Sequence, residues 1–586
     1  MSETKPQTRG EVRIKPLLNG SEQEFIASRR NIVFQTLKKL QIQCSQDEVP
    51  NIALLGSGGG QRAMVGLLGS LVELDKAGLL DCILYLSGVS GSTWCMASLY
   101  QEPDWSTKLD TVKNKIIERL SGPGVSLTDK LEKLKKYYYG KTFFSLTDVW
   151  AVLFVTPYVK EIDEQTITEQ RKHHKKDPFP IYTVIDKQCK QSKTGDPWFE
   201  INPYEAGYSL TGAFVDTCHF GSQFHEGSKK NDEGELDMLY LQALCGSALA
   251  DEKDIMKSIW ERIKGIFQER ETVFEAMREG RPAGGHEEMN VVEESFEPAG
   301  IASHHDPTSL PVDKSYQVLM DLVDMNICAL NGKDTSGLDQ SIRANLNDLS
   351  KGKTEKFSIK KMETLDKRPK KQDMNSYTIN VCNNLSDRIN FWPFDAWASI
   401  CKCMAQWIWG RKYNFLHNMT DGAVPPALLQ NETRDYEDAG LLNNSPYFSV
   451  LRKDRDIDLI ISLDFSQGDP FTTVERAANT CRELKIPFPE VKVSDEDKNK
   501  PKDFYVFRGK NAPTVIHIPL FNVVNCGDKL NQWRDDYRTF QASYSAEMIT
   551  NLMEVAGKNI TNNKNKLLEE IRMVVGRNQT FYDQPQ

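Results

Sequence analysis

The chain has 586 residues, 39% of them apolar and 26% charged, with a formal charge of -9 at pH 7. That length is far beyond the size at which burial limits folding, so one very large domain or several smaller ones can form. The acidic balance argues against nucleic acid as the main partner, because phosphate binding needs a basic footprint. Twelve cysteines without a Cys-x-x-Cys pair and a polar start, MSETKPQTRG, fit a reducing cytoplasm. No run of about 18 uncharged apolar residues occurs, so no bilayer span is expected. The second residue is Ser and the last five are Tyr582-Asp583-Gln584-Pro585-Gln586, so neither N-myristoylation nor C-terminal prenylation is expected. Membrane contact is expected to be peripheral.

Residues 1–20 lack periodicity and read as a loose arm. Ser21-Glu22-Gln23-Glu24 reads as a capping box opening a helix through Phe25, Ile26, Ile32, Val33, Leu37 and Leu40. After Pro50, Asn51-Ile52-Ala53-Leu54-Leu55 is a short run of the buried parallel type. It runs into Gly56-Ser57-Gly58-Gly59-Gly60-Gln61-Arg62. Ala63, Met64, Leu67, Leu68, Leu71 and Leu74 then recur at helical spacing up to Gly78, a natural helix stop. A second strand, Cys82 to Ser87, leads into Gly88-Val89-Ser90-Gly91-Ser92 and another helix. Strand, helix and strand predict a right-handed parallel crossover, which puts both glycine turns at the carboxyl ends of adjacent or near-adjacent strands. That arrangement brings Gly59 and Ser90 together.

From Asp104 to Lys176 the pattern is helical and charged, with an aromatic block at Tyr137-Tyr138-Tyr139 and Phe143-Phe144. Residues 198–224 read as strands and loops. Between about Glu269 and Asp313, low apolarity and scattered glycines predict a mobile loop. Lys351 to Lys371 holds nine basic and three acidic residues, which suits a solvated loop or contact with anionic headgroups. Pro393 opens a helix with Trp397, Ile400, Cys401, Met404 and Ile408 on one face. Such a stripe is core or an interfacial face, and Cys401 and Cys403 are either buried or acylated. Asp458 to Asp464 and Pro513 to Leu520 read as further strands, restoring an α/β texture.

A serine becomes an effective nucleophile when a base takes its proton and donors stabilise the tetrahedral oxyanion. A sharp strand-to-helix turn exposes the hydroxyl at a helix N-terminus, and small neighbours let the backbone pass. Ser90 sits in such a turn between Gly88 and Gly91, although Ser92 stands where the usual elbow has glycine. The turn Gly58-Gly59-Gly60 precedes a helix and suits an oxyanion. It is no P-loop, since no Gly-Lys-Ser/Thr follows. Two partners for Ser90 stand open. His517 is the only histidine after Asp438 but lies in an apolar run, Thr-Val-Ile-His-Ile-Pro-Leu, that suits a core histidine. Asp438-Ala439-Gly440 offers a carboxylate that would activate the serine directly.

Gly-Ser-Gly-Gly-Gly-Gln-Arg-Ala-Met at 56–64, Leu-Ser-Gly-Val-Ser-Gly-Ser-Thr-Trp at 86–94, Asn202-Pro203-Tyr204-Glu205, Phe220-Gly221-Ser222, Asp438-Ala439-Gly440-Leu441 and Asp458 to Ser466 follow one another in this order. Together, from about residue 45 onward, they resemble the group IV cytosolic phospholipase A2 catalytic domain. The resemblance implies a patatin-like α/β fold with a mixed, mostly parallel central sheet, flanking helices and an inserted cap or lid. It implies Ser90 as nucleophile and Asp438 as base of a Ser-Asp dyad, with Gly59 and Gly60 as oxyanion donors. Arg62 would hold the phospholipid phosphate, and Arg455 would sit near the substrate.

Only about fifty residues precede the first strand, so no C2 domain is expected and the organisation resembles the gamma type, which is calcium-independent. The prenylated terminus of that type is not expected here. The expected division is an arm and helix at 1–50, core at 51–255, a cap at 256–430 and core again at 431–586. The expected activity is release of the sn-2 acyl chain with lysophospholipase activity beside it. A lysophospholipase or transacylase, or a silent membrane-binding scaffold, is the alternative. No cofactor and no metal are implied. The expected partner is a phospholipid membrane surface, not nucleic acid, and no protein partner is indicated. The expected location is the cytoplasm with reversible membrane association.

Overall fold

The structure, a computed structural model, describes residues 12–15, 17–247, 252–278, 309–350, 370–387 and 390–582. Its strands are β1 (Arg13–Ile14), β2 (Ile52–Gly56), β3 (Tyr85–Gly88), β4 (Phe179–Asp186), β5 (Trp198–Ile201), β6 (Glu205–Tyr208), β7 (Ala213–Asp216), β8 (Gln223–His225), β9 (Ser228–Asn231), β10 (Arg411–Tyr413), β11 (Thr433–Asp438), β12 (Leu459–Asp464), β13 (Tyr505–Phe507) and β14 (Thr514–Pro519). Twelve of them form one mixed sheet in the order β1-β7-β6-β5-β4-β3-β2-β12-β14-β13, with β11 joined to β4 and β10 to β11. The run β4-β3-β2-β12-β14 is parallel. Antiparallel strands extend it beyond β4, and β13 closes the other edge antiparallel to β14.

The parallel strands β2, β3, β12 and β14 are buried along their whole length, as the near-continuous apolar runs require when helices cover both faces of a sheet. The helices used below are α1 (Gly20–Lys39), α2 (Gly60–Lys76), α3 (Gly91–Tyr100), α4 (Leu127–Gly140), α5 (Met238–Cys245) and α6 (Ala546–Asn562). α2 ends before Gly78, which has φ 72. α1 begins one residue ahead of the expected box, and its cap is Asn19, whose side chain accepts the Ser21 N–H at 2.8 Å.

The chain falls into two compact units, Met1–Leu249 with Trp409–Gln586 and Ala250–Ile408. The sheet belongs to the first. The second lies in sequence between Ser90 and Asp438, and its described elements are helices: Glu252–Arg278, Ser309–Leu330, Ser336–Leu349, Lys371–Ser386 and Phe394–Gln406. Trp397, Ile400, Cys401, Cys403 and Met404 are buried. The tryptophan-bearing stripe is therefore core, and burial withholds both cysteines from acylation. Helices take up 269–278 and 309–313 of the expected loop. The rest of that loop, and the basic stretch up to residue 369, lie outside the described residues.

Candidate active site

β2 ends at Gly56 and α2 begins at Gly60, so three residues reverse the chain. Gly59 has φ 152 and Gly60 φ 56, which lie in the region that favours glycine. The Gly58 N–H donates to the Asn444 carbonyl at 3.0 Å, and the Ser57 N–H to the Leu463 carbonyl at 3.1 Å. No acceptor is present for the Gly59 and Gly60 N–H groups among the described residues. The opening N–H groups of a helix have no intrahelical partner and carry the positive end of its dipole, so this pair suits an oxyanion.

β3 delivers the second turn. Ser90 has φ 51 and ψ -122, a backbone almost reserved for glycine and worth about 1–3 kcal/mol of local strain. Surrounding bonds hold it there: Val89 N–H donates to the Gly56 carbonyl at 3.0 Å, and Thr93 N–H to the Ser90 carbonyl at 2.9 Å. A Cβ on Gly91 would stand 1.9 Å from the Gly60 carbonyl oxygen. Ser92, the departure from the usual elbow, donates its hydroxyl to the Ser57 carbonyl at 2.6 Å and so ties the two turns together. The Ser90 side chain is 3% exposed.

β4 brings Asp438 to the same place. Gly88 of β3 registers with Tyr182, and Asp438 of β11 registers with Val184, two residues further along the same strand. β11 thus begins on β4 where β3 stops, about 6–7 Å along the strand. Thr183 Oγ1 donates to the Gly88 carbonyl at 2.8 Å across that junction. Val89 and Ala439, which precede Ser90 and follow Asp438, share one apolar cluster with Ile185, Trp198 and Phe448. Asp438 Oδ1 accepts the Gly440 N–H at 2.7 Å, and the Asp438 N–H donates to Ser247 Oγ at 3.2 Å.

Asn444 stands between the turns and had no signal in the sequence. Its Nδ2 donates to the Gly58 carbonyl and to Ser466 Oγ, each at 3.0 Å. A Cβ on Gly58 would meet Asn444 Oδ1 at 2.3 Å and Ser90 Cβ at 2.9 Å, while one on Gly440 would meet Asn444 Oδ1 and Asp438 Oδ1 at 3.0 Å each. Glycines 58 and 440 thus leave room for a side chain that touches both halves of the site.

Both arginines expected as phosphate ligands are engaged by groups of the protein itself. Arg62 is 1% exposed, with Nε donating to the Phe465 carbonyl and Nη1 to the Tyr537 carbonyl, each at 2.7 Å. A Cβ on Gly59 would lie 2.9 Å from Arg62 Nη2, so the guanidinium backs the glycine turn rather than facing a headgroup. Burial pulls it below the ordinary arginine range, opposed by Tyr544 and Asp464. Arg455 is buried between two carboxylates, with Nε 2.9 Å from Glu22 Oε1 and Nη2 2.7 Å from Glu200 Oε1. Both sides of that guanidinium are occupied, so it locks α1 to β5 and is not available to substrate.

His517 does not reach Ser90. It lies on β14, and β12 and β2 intervene before β3 in the sheet. Its Nε2 donates to the Pro470 carbonyl at 2.6 Å. Three strand spacings amount to roughly 14 Å, which removes the triad alternative.

Residues 52–251 match the family model described as lysophospholipase catalytic domain. Over 95% of this chain and 92% of the relative, the sequence is 33% identical to cytosolic phospholipase A2 gamma of Mus musculus. It is 30% identical to cytosolic phospholipase A2 gamma of Homo sapiens over 97% of each. The solved structure of human GIVD cytosolic phospholipase A2 superposes with a TM-score of 0.63 at 21% identity, covering 98% of this chain and 67% of that one. That likeness bears on the fold.

Proposed function

Because the chain belongs to the cytosolic phospholipase A2 family and is a hydrolase of the phospholipase and lysophospholipase kind, we propose that Ser90 and Asp438 form a calcium-independent catalytic dyad cleaving the sn-2 acyl ester of glycerophospholipids. The observation that carries the reading is the strained Ser90 backbone at the end of β3, set against the Gly59 and Gly60 N–H groups. In this reading Asp438 takes the Ser90 hydroxyl proton as Oγ bonds to the ester carbonyl carbon. The carbonyl oxygen becomes an oxyanion that receives the Gly59 and Gly60 N–H groups. The buried Arg62 cation behind Gly59 adds favourable potential there without touching the lipid. Collapse breaks the carbon–oxygen bond, and the leaving alkoxide takes its proton back from Asp438, giving a lysophospholipid and an acyl-serine. Water then repeats the sequence and releases the fatty acid.

Lysophospholipase activity belongs to the same site, since the model matched over residues 52–251 is described by that activity. A lipid hydroxyl replacing water in the second half would make the enzyme a transacylase. Ser90 is almost sealed, so the lipid enters only after side chains around it move. A phospholipid surface supplies both the substrate and an apolar environment for that movement, and the working state is a cytoplasmic protein that associates reversibly with membranes.

The test is product analysis by mass spectrometry from mixed phosphatidylcholine vesicles, with and without EDTA, beside labelling by an alkyl fluorophosphonate. Free sn-2 fatty acid unaffected by EDTA, and label on Ser90, are expected. Vesicle binding without turnover or labelling would overturn the reading.

A further inference from the structure

Away from Ser90, the first unit holds a second concave site. Lys412 lies on β10 and registers with Arg434 of β11, yet it is 6% exposed. Its ammonium stands 4.3 Å from the centre of the Tyr240 ring, and the Lys141 ammonium stands 3.4 Å from the centre of the same ring. Lys141 is paired with Asp148. The Lys412 ammonium has no hydrogen-bond or ion-pair partner among the described residues.

The nearby carboxylates are engaged elsewhere. Asp237 takes the Lys133 ammonium and the Tyr137 hydroxyl, each at 2.7 Å, and the Tyr240 N–H at 2.8 Å. Glu233 takes the Thr142 N–H and hydroxyl. Glu235 takes the Thr168 N–H at 2.9 Å. Burial and then Lys141 push the Lys412 ammonium down to about 7, against the pull of Asp148, Glu233 and Asp237.

The side chain lines a cavity of about 260 Å³ whose walls also carry Lys133, Lys136 and Lys141 together with the carboxylates Glu233, Glu235 and Asp237 described above, four lysines against three acids. Gly221, at φ 98, leaves space for the Lys412 stem: a Cβ there would come 3.2 Å from Lys412 Cδ. The Phe220-Gly221-Ser222 motif thus shapes this cavity.

We propose that the cavity is an anion site for a phosphate monoester, with Lys412 and Lys141 as its two cationic ligands. A buried ammonium whose nearest carboxylates are bonded to other groups is unfavourable, and an anion entering beside it restores the balance. Two ammonium groups on one ring suit a tetrahedral dianion, because lysine binds phosphate as a point charge and needs no planar fork. The volume lies below the roughly 300–1,000 Å³ of drug-sized ligand pockets, so a headgroup or a small phosphate ester fits and a peptide or an acyl chain does not. α5 connects the site to the chemistry: Tyr240 lies within it, it ends at Cys245, and Ser247 two residues on accepts the Asp438 N–H.

The full-length protein is reductively methylated near neutral pH, and each lysine is followed by mass spectrometry. The additions compared are inorganic phosphate, glycerol 3-phosphate, phosphatidylcholine vesicles and phosphatidylcholine vesicles containing phosphatidate. At ten times its dissociation constant the anion slows Lys412 labelling about tenfold and leaves exposed Lys492 unchanged. Protection by the soluble anions assigns a free phosphate or phosphate ester, and protection by phosphatidate vesicles alone assigns a lipid headgroup. Protection by none of them, or equally by plain phosphatidylcholine, overturns the proposal. As a second measurement, Lys412→Met loses the rise in Tm that the protecting anion gives the unaltered protein. A rise retained in full would also overturn it. Neither readout depends on hydrolysis, so the proposal stands or falls separately from the Ser90 reading.

Discussion

Gly91 sits with its Cα against the Gly60 carbonyl, leaving 1.9 Å where a Cβ would have to fit. The Ser90 turn and the Gly58–Gly60 turn are therefore in direct backbone contact, and a shift of one moves the other. Gly91→Ala is expected to separate them, at a cost of about 1–3 kcal/mol in stability. A fall in kcat larger than the change in KM, beside a lowered urea midpoint, is the expected signature. An alanine variant with unaltered kcat would show that the contact is dispensable.

Ser90 holds a strained backbone for its hydroxyl. Ser90→Gly is expected to keep or raise Tm, because glycine adopts φ 51 freely, while turnover falls by about 10⁴-fold or more. Thermal unfolding and a fatty-acid release assay on the same preparation separate the two effects. A serine required for folding and not for chemistry would give the opposite pattern.

Asp438→Asn retains an oxygen to accept the Gly440 N–H but cannot take a proton from Ser90. A loss of about 10²–10⁴-fold in kcat is expected, with native Tm and slowed fluorophosphonate labelling. Labelling at the original rate would remove Asp438 as the base.

Arg455 is expected to affect folding rather than substrate binding. Arg455→Met leaves Glu22 buried without its cation and Glu200 with Arg452 alone, which costs about 3–5 kcal/mol. Burial tends to raise the Glu200 carboxyl, but Arg455 and Arg452 outweigh it and hold it below the ordinary carboxylate range. The unfolded chain therefore binds the proton more readily, so this stability is present above the unfolded value and lost as pH falls through the folded one. A KM for phosphatidylcholine unchanged in the folded fraction is the discriminating measurement; a raised KM would restore the phosphate role.

Lys412 gives a dependence in the alkaline direction. Its ammonium titrates near 7 when folded and near 10.4 when unfolded, so between those values the unfolded chain holds more protons. Stability therefore climbs with pH in that window, by up to ~1.4 kcal/mol per pH unit from this group. The slope is expected to flatten in Lys412→Met, as followed by urea titrations at several pH values. Lys141, Asp148, Glu233, Asp237 and Tyr240 face the same ammonium, so the comparison is made against the variant rather than on the total curve.

Local pattern was a good guide where the backbone itself determines the outcome. The glycines at 58–60 and the small residues around Ser90 announce sharp strand-to-helix turns, because few other residues tolerate those angles or approaches. Continuous apolar runs identified β2, β12 and β14 by burial on both faces. The helix opening near Ser21 was foreseen but not its cap at Asn19, since several nearby polar side chains compete for one N–H. Asn444 was missed because a lone asparagine carries no periodic or compositional signal.

Sequence by itself determined the glycine turn before α2, the Ser90 turn and their closeness, since one short crossover carries all three. Tertiary structure alone decided what the distant charges do. β4 seats Asp438 beside the Ser90 turn although 348 positions separate them. Glu22 and Glu200 take Arg455 out of the site, and backbone carbonyls from two remote segments take Arg62. An ionic group's role depends on which counter-charges and dipoles the fold places around it, and chain order does not encode those neighbours.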